Sequence, residues 1–442
     1  MTLKELLILL SLLFFALFSR LWRLAEPAWM YFDEPYHLRA AKLLAEGDWR
    51  TPFQIPSATA SADFAASAYD WLHPPLAKYI QAIFIWHFGL NAWSWRLPSV
   101  IFALLTLVVF YFLVRFLALH FLFSSAKKNR QVNQASNLAL LATFFLVLDG
   151  LFFVQSRIAM NDVFVLFFTL SAVLAYLDYQ AKHRLLSLFL SGLLFGLALA
   201  SKWSAFWILL LLFFKELWSS KSSRQWPFLC FALILTPAMF YLLLYLPMFI
   251  QGQDLTAFWL LQKPILRSQL TNPATHLYSS EPLSWVFNLR PVWYFTNQAW
   301  VGDAWVANIY ALNNPLLTFY SLIALIFIWQ ELAGQKITIA RRQTMIFLLA
   351  LYGISFLPWL FFSRMMFYYH YLLAIPFLMI LLAYACLVFF NSIQDQAKRV
   401  AVIFNVLFWP FLVFVLFYPH WTAWPVPQFF AQNLYFFLAS WR

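Results

Sequence analysis

The chain has 442 residues, of which 64% are hydrophobic and 10% charged, with a formal net charge of +12. That balance excludes a soluble globular domain and a disordered segment alike, and defines a polytopic membrane protein. The positive charge sits in short clusters between apolar runs, which is the topology signal of membrane proteins, so no nucleic-acid partner is expected.

The first apolar run, about residues 6–24, is short enough to resemble a signal peptide, but Arg20 and Arg23 follow it in place of a small-residue cleavage site. It reads as a first span. A long polar and aromatic stretch, about residues 25–96, follows and far exceeds what a connection needs. The next run, about 97–123, ends at Lys127, Lys128 and Arg130, a basic cluster that marks the cytoplasmic side and puts the N-terminus inside.

Further runs lie at about 138–153, 163–179, 185–199, 204–217 and 228–250, with Lys182/Arg184 and Lys221/Arg224 between inner ends. A second long stretch, about 251–303, is rich in Trp, Pro and Asn. Runs at about 307–329, 345–362, 367–390 and 400–418 complete about eleven spans, each near the length a bilayer needs. The expected architecture is an all-α polytopic membrane protein. Residues 1–418 form one transmembrane unit with two long external loops and no inserted soluble domain, and 419–442 form an external tail. Glycine is scarce, at 9 residues against 52 Phe and 22 Trp, so small-residue helix packing is not expected to be the main device. Cys230 and Cys386, both in apolar runs, offer neither a disulfide framework nor a metal cluster.

The informative residues break the topology pattern. Arg157, Lys202 and Arg364 each sit in a short external turn, and Asp33, Glu34, Asp70, Asp149 and Asp162 map to the same side. Snorkelling to headgroups, or an Arg157–Asp162 pair, is the bland account. The alternative is a site. A lipid phosphate at headgroup depth is held by arginine's fork, fixed positive charge stabilises a departing phosphate, and a carboxylate such as Asp33 takes a proton from an acceptor hydroxyl. A second motif, from Asp70 to Lys78, combines Asp70 and His73 with a helix-stopping double proline.

Five stretches carry a family resemblance: Phe32-Asp-Glu-Pro-Tyr-His37; Asp70 to Lys78 with His73-Pro-Pro-Leu76; Gln155-Ser-Arg157 with Asp162; His276 to Trp285 with Arg290 to Tyr294; and Leu357-Pro-Trp359 with Arg364 to Tyr371. The chain resembles the protein O-mannosyltransferases of the GT-C class, in particular their bacterial branch. The resemblance implies inverting transfer of mannose from a polyprenyl-phosphate mannose to Ser or Thr hydroxyls of exported polypeptides. It implies an enzyme of the plasma membrane, with membrane lipids and the secretion translocon as further partners, and neither cofactor nor metal. By position, Asp33 looks like the catalytic base, with Glu34 and His73 beside it. Arg96 resembles a functionally important arginine, and Asp70, Arg157, Asp162, Lys202, His276, Arg364 and His370 look like substrate or donor contacts. Residues 251–303 are too short for the soluble domain that eukaryotic members carry there, and Ala77 stands where the family usually has Gly. Two alternatives stay open: a GT-C transferase moving another lipid-linked sugar to a lipid or glycan, and a transporter of a lipid-linked anion.

Overall fold

In a computed structural model, residues 1–53, 72–124, 127–219, 225–272, 275–297, 304–334 and 337–442 are described. Asp70 lies outside them. Among the described residues seven helical segments are long and apolar enough to cross a membrane: Ala92–Leu122, Lys128–Leu148, Asp162–Lys182, Trp226–Leu243, Pro315–Ala333, Tyr368–Ser392 and Gln396–Thr422. The other four expected spans coincide with helices that are shorter or more charged: Leu3–Leu21, Leu185–Ser201, Phe206–Ser219 and Ile339–Ile354. The segment Tyr368–Ser392 is 83% buried in its apolar window and forms the centre of the bundle. Gln396–Thr422, at 17%, lies on the periphery.

Several boundaries move for identifiable reasons. Residues 307–311, expected as the start of a span, belong instead to a strand. The helix begins only at Pro315, whose ring suits a first helical position, and the Asn314 side chain caps it by accepting from Leu316 N at 3.1 Å. The span expected over 138–153 ends at Leu148, because Asp149 starts a separate short helix, Gly150–Gln155, by accepting from Phe152 N at 2.8 Å. Pro376 likewise delays the regular helix to Ile375 behind a 3₁₀ stretch, Tyr368–Ala374.

The connections are structured. The first holds the helices Glu34–Ala45 and Leu76–Phe88, and the second holds Leu255–Leu270. Among the described residues five short strands, β1 (Thr271–Asn272), β2 (Val292–Asn297), β3 (Trp305–Ala311), β4 (Ser363–Arg364) and β5 (Val426–Pro427), join these regions. β1 pairs parallel with β4, and β2, β3 and β5 form an antiparallel sheet in that order. Of residues 419–442, expected as a tail, 419–422 end the last helix and β5 pairs with β3, while Trp441 is buried and its Nε1 donates to Asn288 O at 2.7 Å.

Glycine matters at one helix pair despite its scarcity. A Cβ on Gly192 would come within 1.8 Å of Ala232 O, and one on Gly196 within 2.7 Å of the Phe240 Cβ. The Gly192-x-x-x-Gly196 face therefore lets Leu185–Ser201 meet Trp226–Leu243 backbone to backbone, a device that scarcity of glycine had argued against.

Candidate active site

The segment that delivers Asp33 is held by two arginines. Arg157, from the turn after Gly150–Gln155, reaches the helix end at Leu21 and donates to the carbonyls of Ser19 at 3.2 Å, Trp22 at 2.8 Å and Arg23 at 3.0 Å, and also to that of Arg20. Ser19 and Arg20 lie in the last turn of that helix, where carbonyls lack intrahelical partners, and Trp22 and Arg23 lie just beyond it, so a distant guanidinium caps the helix end. Neighbouring Ser156 Oγ accepts from Arg20 Nε at 2.8 Å and ties the same turn to the same helix.

Arg96 continues the clamp. Its guanidinium donates to the carbonyls of Leu24, Pro27 and Trp29 at 3.0, 2.8 and 3.0 Å, and grips both Glu34 oxygens at 2.8 and 2.9 Å. Glu34 also accepts from the backbone N–H of Tyr31 at 3.2 Å and of Ala159 at 3.1 Å. Both side chains are fully buried, and the Arg96 guanidinium lies 4.7 Å from the Tyr31 ring centre. Every strong valence of the pair is thus met inside the protein.

Phe32, between the clamp and Asp33, has φ +53°, a left-handed conformation that is strained for a bulky residue. Its ring stacks on Tyr294 of β2 at 4.0 Å, which holds the bend just before Asp33. Burial, then the negative potential of Tyr369, Asp162 and Asp33, pushes the Tyr294 hydroxyl well above its ordinary pKa and keeps it neutral. That hydroxyl accepts from Gln155 Nε2 at 2.6 Å.

Asp33 opens into a polar pocket that it shares with His37, His73, Asp162, Lys202, Arg364 and His370. The His37 and His73 rings lie 5.8 Å apart. Lys78 holds the His73 turn by donating to its carbonyl at 2.7 Å. On another wall, Lys202 Nζ pairs with Asp162 Oδ1 at 2.7 Å and lies 5.1 Å from the Tyr369 ring centre. Arg364 has neutral hydrogen-bond acceptors, the Gln269 side-chain oxygen and the Met365 carbonyl. Burial pulls its pKa below the ordinary value, with Tyr369 opposing. Among the described residues these neutral acceptors are its hydrogen-bond partners, and a desolvated cation so matched is suited to a mobile anion.

Gln269 also borders a second, apolar cavity of about 680 Å³, lined by residues such as Trp203, Phe206, Leu233, Leu266 and Trp359. The polar pocket and the apolar cavity therefore meet at one residue.

Of the residues singled out from sequence, the structure brings together Asp33, His73, Asp162, Lys202, Arg364 and His370. Glu34, Arg96 and Arg157 lie outside that lining, in the clamps. Asp162 pairs with Lys202 rather than with Arg157. His276 is exposed, its ring 5.2 Å from Phe367, which stacks on Tyr369 at 5.6 Å. His37, Asn161, Gln269 and Tyr369 were not chosen from sequence, yet all line the pocket. His37 stands one helical turn after Asp33, and this spacing was the available signal; Gln269 lies in a loop helix with no motif around it.

A multi-span bundle that gathers carboxylates, histidines and cations beside an apolar cavity is an integral-membrane protein with a site of mixed polar and apolar character. Comparisons with known proteins give the family. Residues 10–251 match the dolichyl-phosphate-mannose-protein mannosyltransferase family, and residues 254–441 match the C-terminal four-transmembrane region of protein O-mannosyltransferases. The chain belongs to this family. It is 23% identical over 450 residues to a polyprenol-phosphate-mannose–protein mannosyltransferase of Corynebacterium glutamicum, covering 84% of this chain and 81% of that one. A protein of the same description from Mycolicibacterium smegmatis is 26% identical over 445 residues, covering 84% and 82%. Among solved structures, the S. cerevisiae Pmt1–Pmt2 complex bound to the sugar donor shares the fold with a TM-score of 0.77 at 15% identity, covering 100% of this chain and 93% of that one. ArnT from Cupriavidus metallidurans bound to undecaprenyl phosphate follows with 0.57 at 14% identity, covering 91% and 62%.

Proposed function

We propose that this membrane mannosyltransferase takes mannose from a polyprenyl-phosphate mannose and transfers it, with inversion, to Ser or Thr hydroxyls of exported polypeptides. The observation that carries the reading is the junction at Gln269, where a polar pocket containing Arg364 meets an apolar cavity. A molecule with an isoprenoid chain, a phosphate and a sugar has those two characters in that order.

In this reading the isoprenoid chain lies along Trp203, Leu233 and Leu266, and Arg364 holds the phosphate, with Lys202 adding positive potential. Asp33 accepts the proton of the acceptor hydroxyl as its oxygen attacks the anomeric carbon. The carbon–oxygen bond to phosphate breaks as the new glycosidic bond forms, and the electron pair leaves on the polyprenyl phosphate. One displacement inverts the anomeric centre. His37 and His73 stand beside Asp33 to orient the hydroxyl. No step is routed through a metal, and among the described residues no group of three or more His, Cys, Asp or Glu side chains is spaced to hold one. The basic clusters between the spans support a pocket on the outer face of the plasma membrane, where exported chains would emerge from the secretion machinery.

The test is a reconstituted assay with radiolabelled polyprenyl-phosphate mannose, a Ser/Thr-rich peptide and a lipid extract. Label in the peptide is expected. Label in lipid alone would favour the transferase with a lipid acceptor, and label in neither would leave the transporter reading.

A further inference from the structure

Asn161 stands immediately before Asp162 at the start of the helix Asp162–Lys182, the position where an asparagine ordinarily accepts from a backbone N–H two or three residues on. It makes no such bond. The residue is 1% exposed, and neither its Oδ1 nor its Nδ2 has a hydrogen-bond partner. Beside it, Asp162 engages Lys202 through Oδ1 and leaves Oδ2 buried and unpartnered. Both residues line the pocket that contains Asp33 and Arg364. Buried polar atoms are nearly always paired, and sites that break local rules are commonly functional. Three orphaned atoms on two consecutive residues of one pocket call for a ligand.

Their chemistry selects it. Two of the three atoms accept only, so a phosphate, itself all acceptor, does not match them. An isoprenoid chain offers no polar atom. A hexose does match, because each hydroxyl both donates and accepts: one can donate to Asp162 Oδ2, while its neighbour meets the amide through Oδ1 and Nδ2. Asn161 and Asp162 also stand on the wall with Lys202, the donor side of the pocket in the reading above. We propose that Asn161 is a specificity residue whose amide, with the free oxygen of Asp162, reads the hydroxyls of the donor sugar and so sets which hexose is transferred. This rests on the proposed use of a lipid-linked hexose.

The experiment measures kcat/KM for Asn161→Leu and Asn161→Ser with polyprenyl-phosphate mannose and with polyprenyl-phosphate glucose, using one peptide acceptor. Binding of bare polyprenyl phosphate and thermal unfolding are followed in parallel. Asn161→Leu is expected to lower kcat/KM for the mannosyl donor about 10-fold or more and to narrow the mannose-to-glucose ratio by a similar factor. Asn161→Ser, which keeps one hydroxyl, is expected to fall between it and the wild type. Bare polyprenyl phosphate should bind within about 2-fold of wild type, and the melting temperature should not fall, since the change removes an unpaired buried amide. An unchanged sugar ratio in both variants overturns the assignment. A raised KM for peptide at constant sugar ratio also overturns it, by placing the amide against the acceptor backbone, as does a loss of thermal stability without a change in the ratio. A wild-type enzyme that transfers neither hexose to peptide overturns the functional reading itself, and this assignment with it.

Discussion

Replacing Arg96 by Met should unseat Asp33 without touching it. Arg96 and Glu34 are both fully buried, and the guanidinium makes two bonds to the carboxylate and three to the backbone carbonyls of Leu24, Pro27 and Trp29. After Arg96→Met, Glu34 keeps only the N–H groups of Tyr31 and Ala159, and a buried carboxylate loses its counter-charge. Breaking a buried pair in this way costs about 3–5 kcal/mol, and the orphaned carbonyls add to that. Because these atoms lie in the segment that leads to Asp33, stability and turnover should fall together. The double change Glu34→Leu with Arg96→Met removes the stranded charge and should recover much of the stability. Unfolding in detergent, followed by tryptophan fluorescence, and turnover with a lipid-linked mannose donor measure both effects. A single Arg96→Met variant that melts like the wild type while turnover is lost at normal donor affinity would refute the reasoning, because the pair would then act in the chemistry itself.

Three further outcomes separate structural from chemical roles. Arg157→Ala, which takes a donor from four carbonyls, should lower the melting temperature with little change in donor KM, whereas Arg364→Ala should chiefly weaken donor binding; KM and melting curves for both variants check this. Gly192→Val should give a chain that fails to accumulate in the membrane, since even its Cβ has no room beside Ala232 O; quantitative immunoblotting of membranes measures it. Removal of divalent cations with a chelator should leave the initial rate unchanged in a radiolabel assay.

Much of the fold was legible because lipid is a demanding solvent. Apolar runs of span length and basic clusters between them locate eleven helices, and a helix is what a single run in hydrocarbon must form. Where sequence misled, a local signal competed with apolarity. Residues 307–311 carry no charge and run into an apolar stretch, yet Asn314 and Pro315 mark the true helix start, and β2 supplies the partner that makes the preceding run a strand. The Gly192–Gly196 contact was hidden by an average: nine glycines are few, but two at the right spacing suffice.

The site was legible in part for a different reason. Displaced charge flags a residue as unusual without saying whether its partner is a ligand or the protein. Arg157 and Arg364 look alike in sequence, each a single cation in a short turn. One meets four backbone carbonyls, and the other, among the described residues, meets neutral acceptors beside an apolar cavity. Asp33 and Glu34 are adjacent but point apart because Asp33 already has helical backbone at the start of Glu34–Ala45, where successive side chains diverge by about 100°. Asn161 stands out in sequence only as one of several polar residues in a short external turn, and nothing there shows that its side chain makes no helix cap.

The central claim is that Asp33 takes the proton from the acceptor hydroxyl while Arg364 holds the donor. Asp33→Asn keeps size and hydrogen bonding but removes the base. With purified enzyme, single-turnover transfer to peptide should fall about 100-fold or more, while the donor dissociation constant stays within about 2-fold of wild type. Near-normal transfer by Asp33→Asn, or a loss that lies wholly in donor binding, would contradict the account.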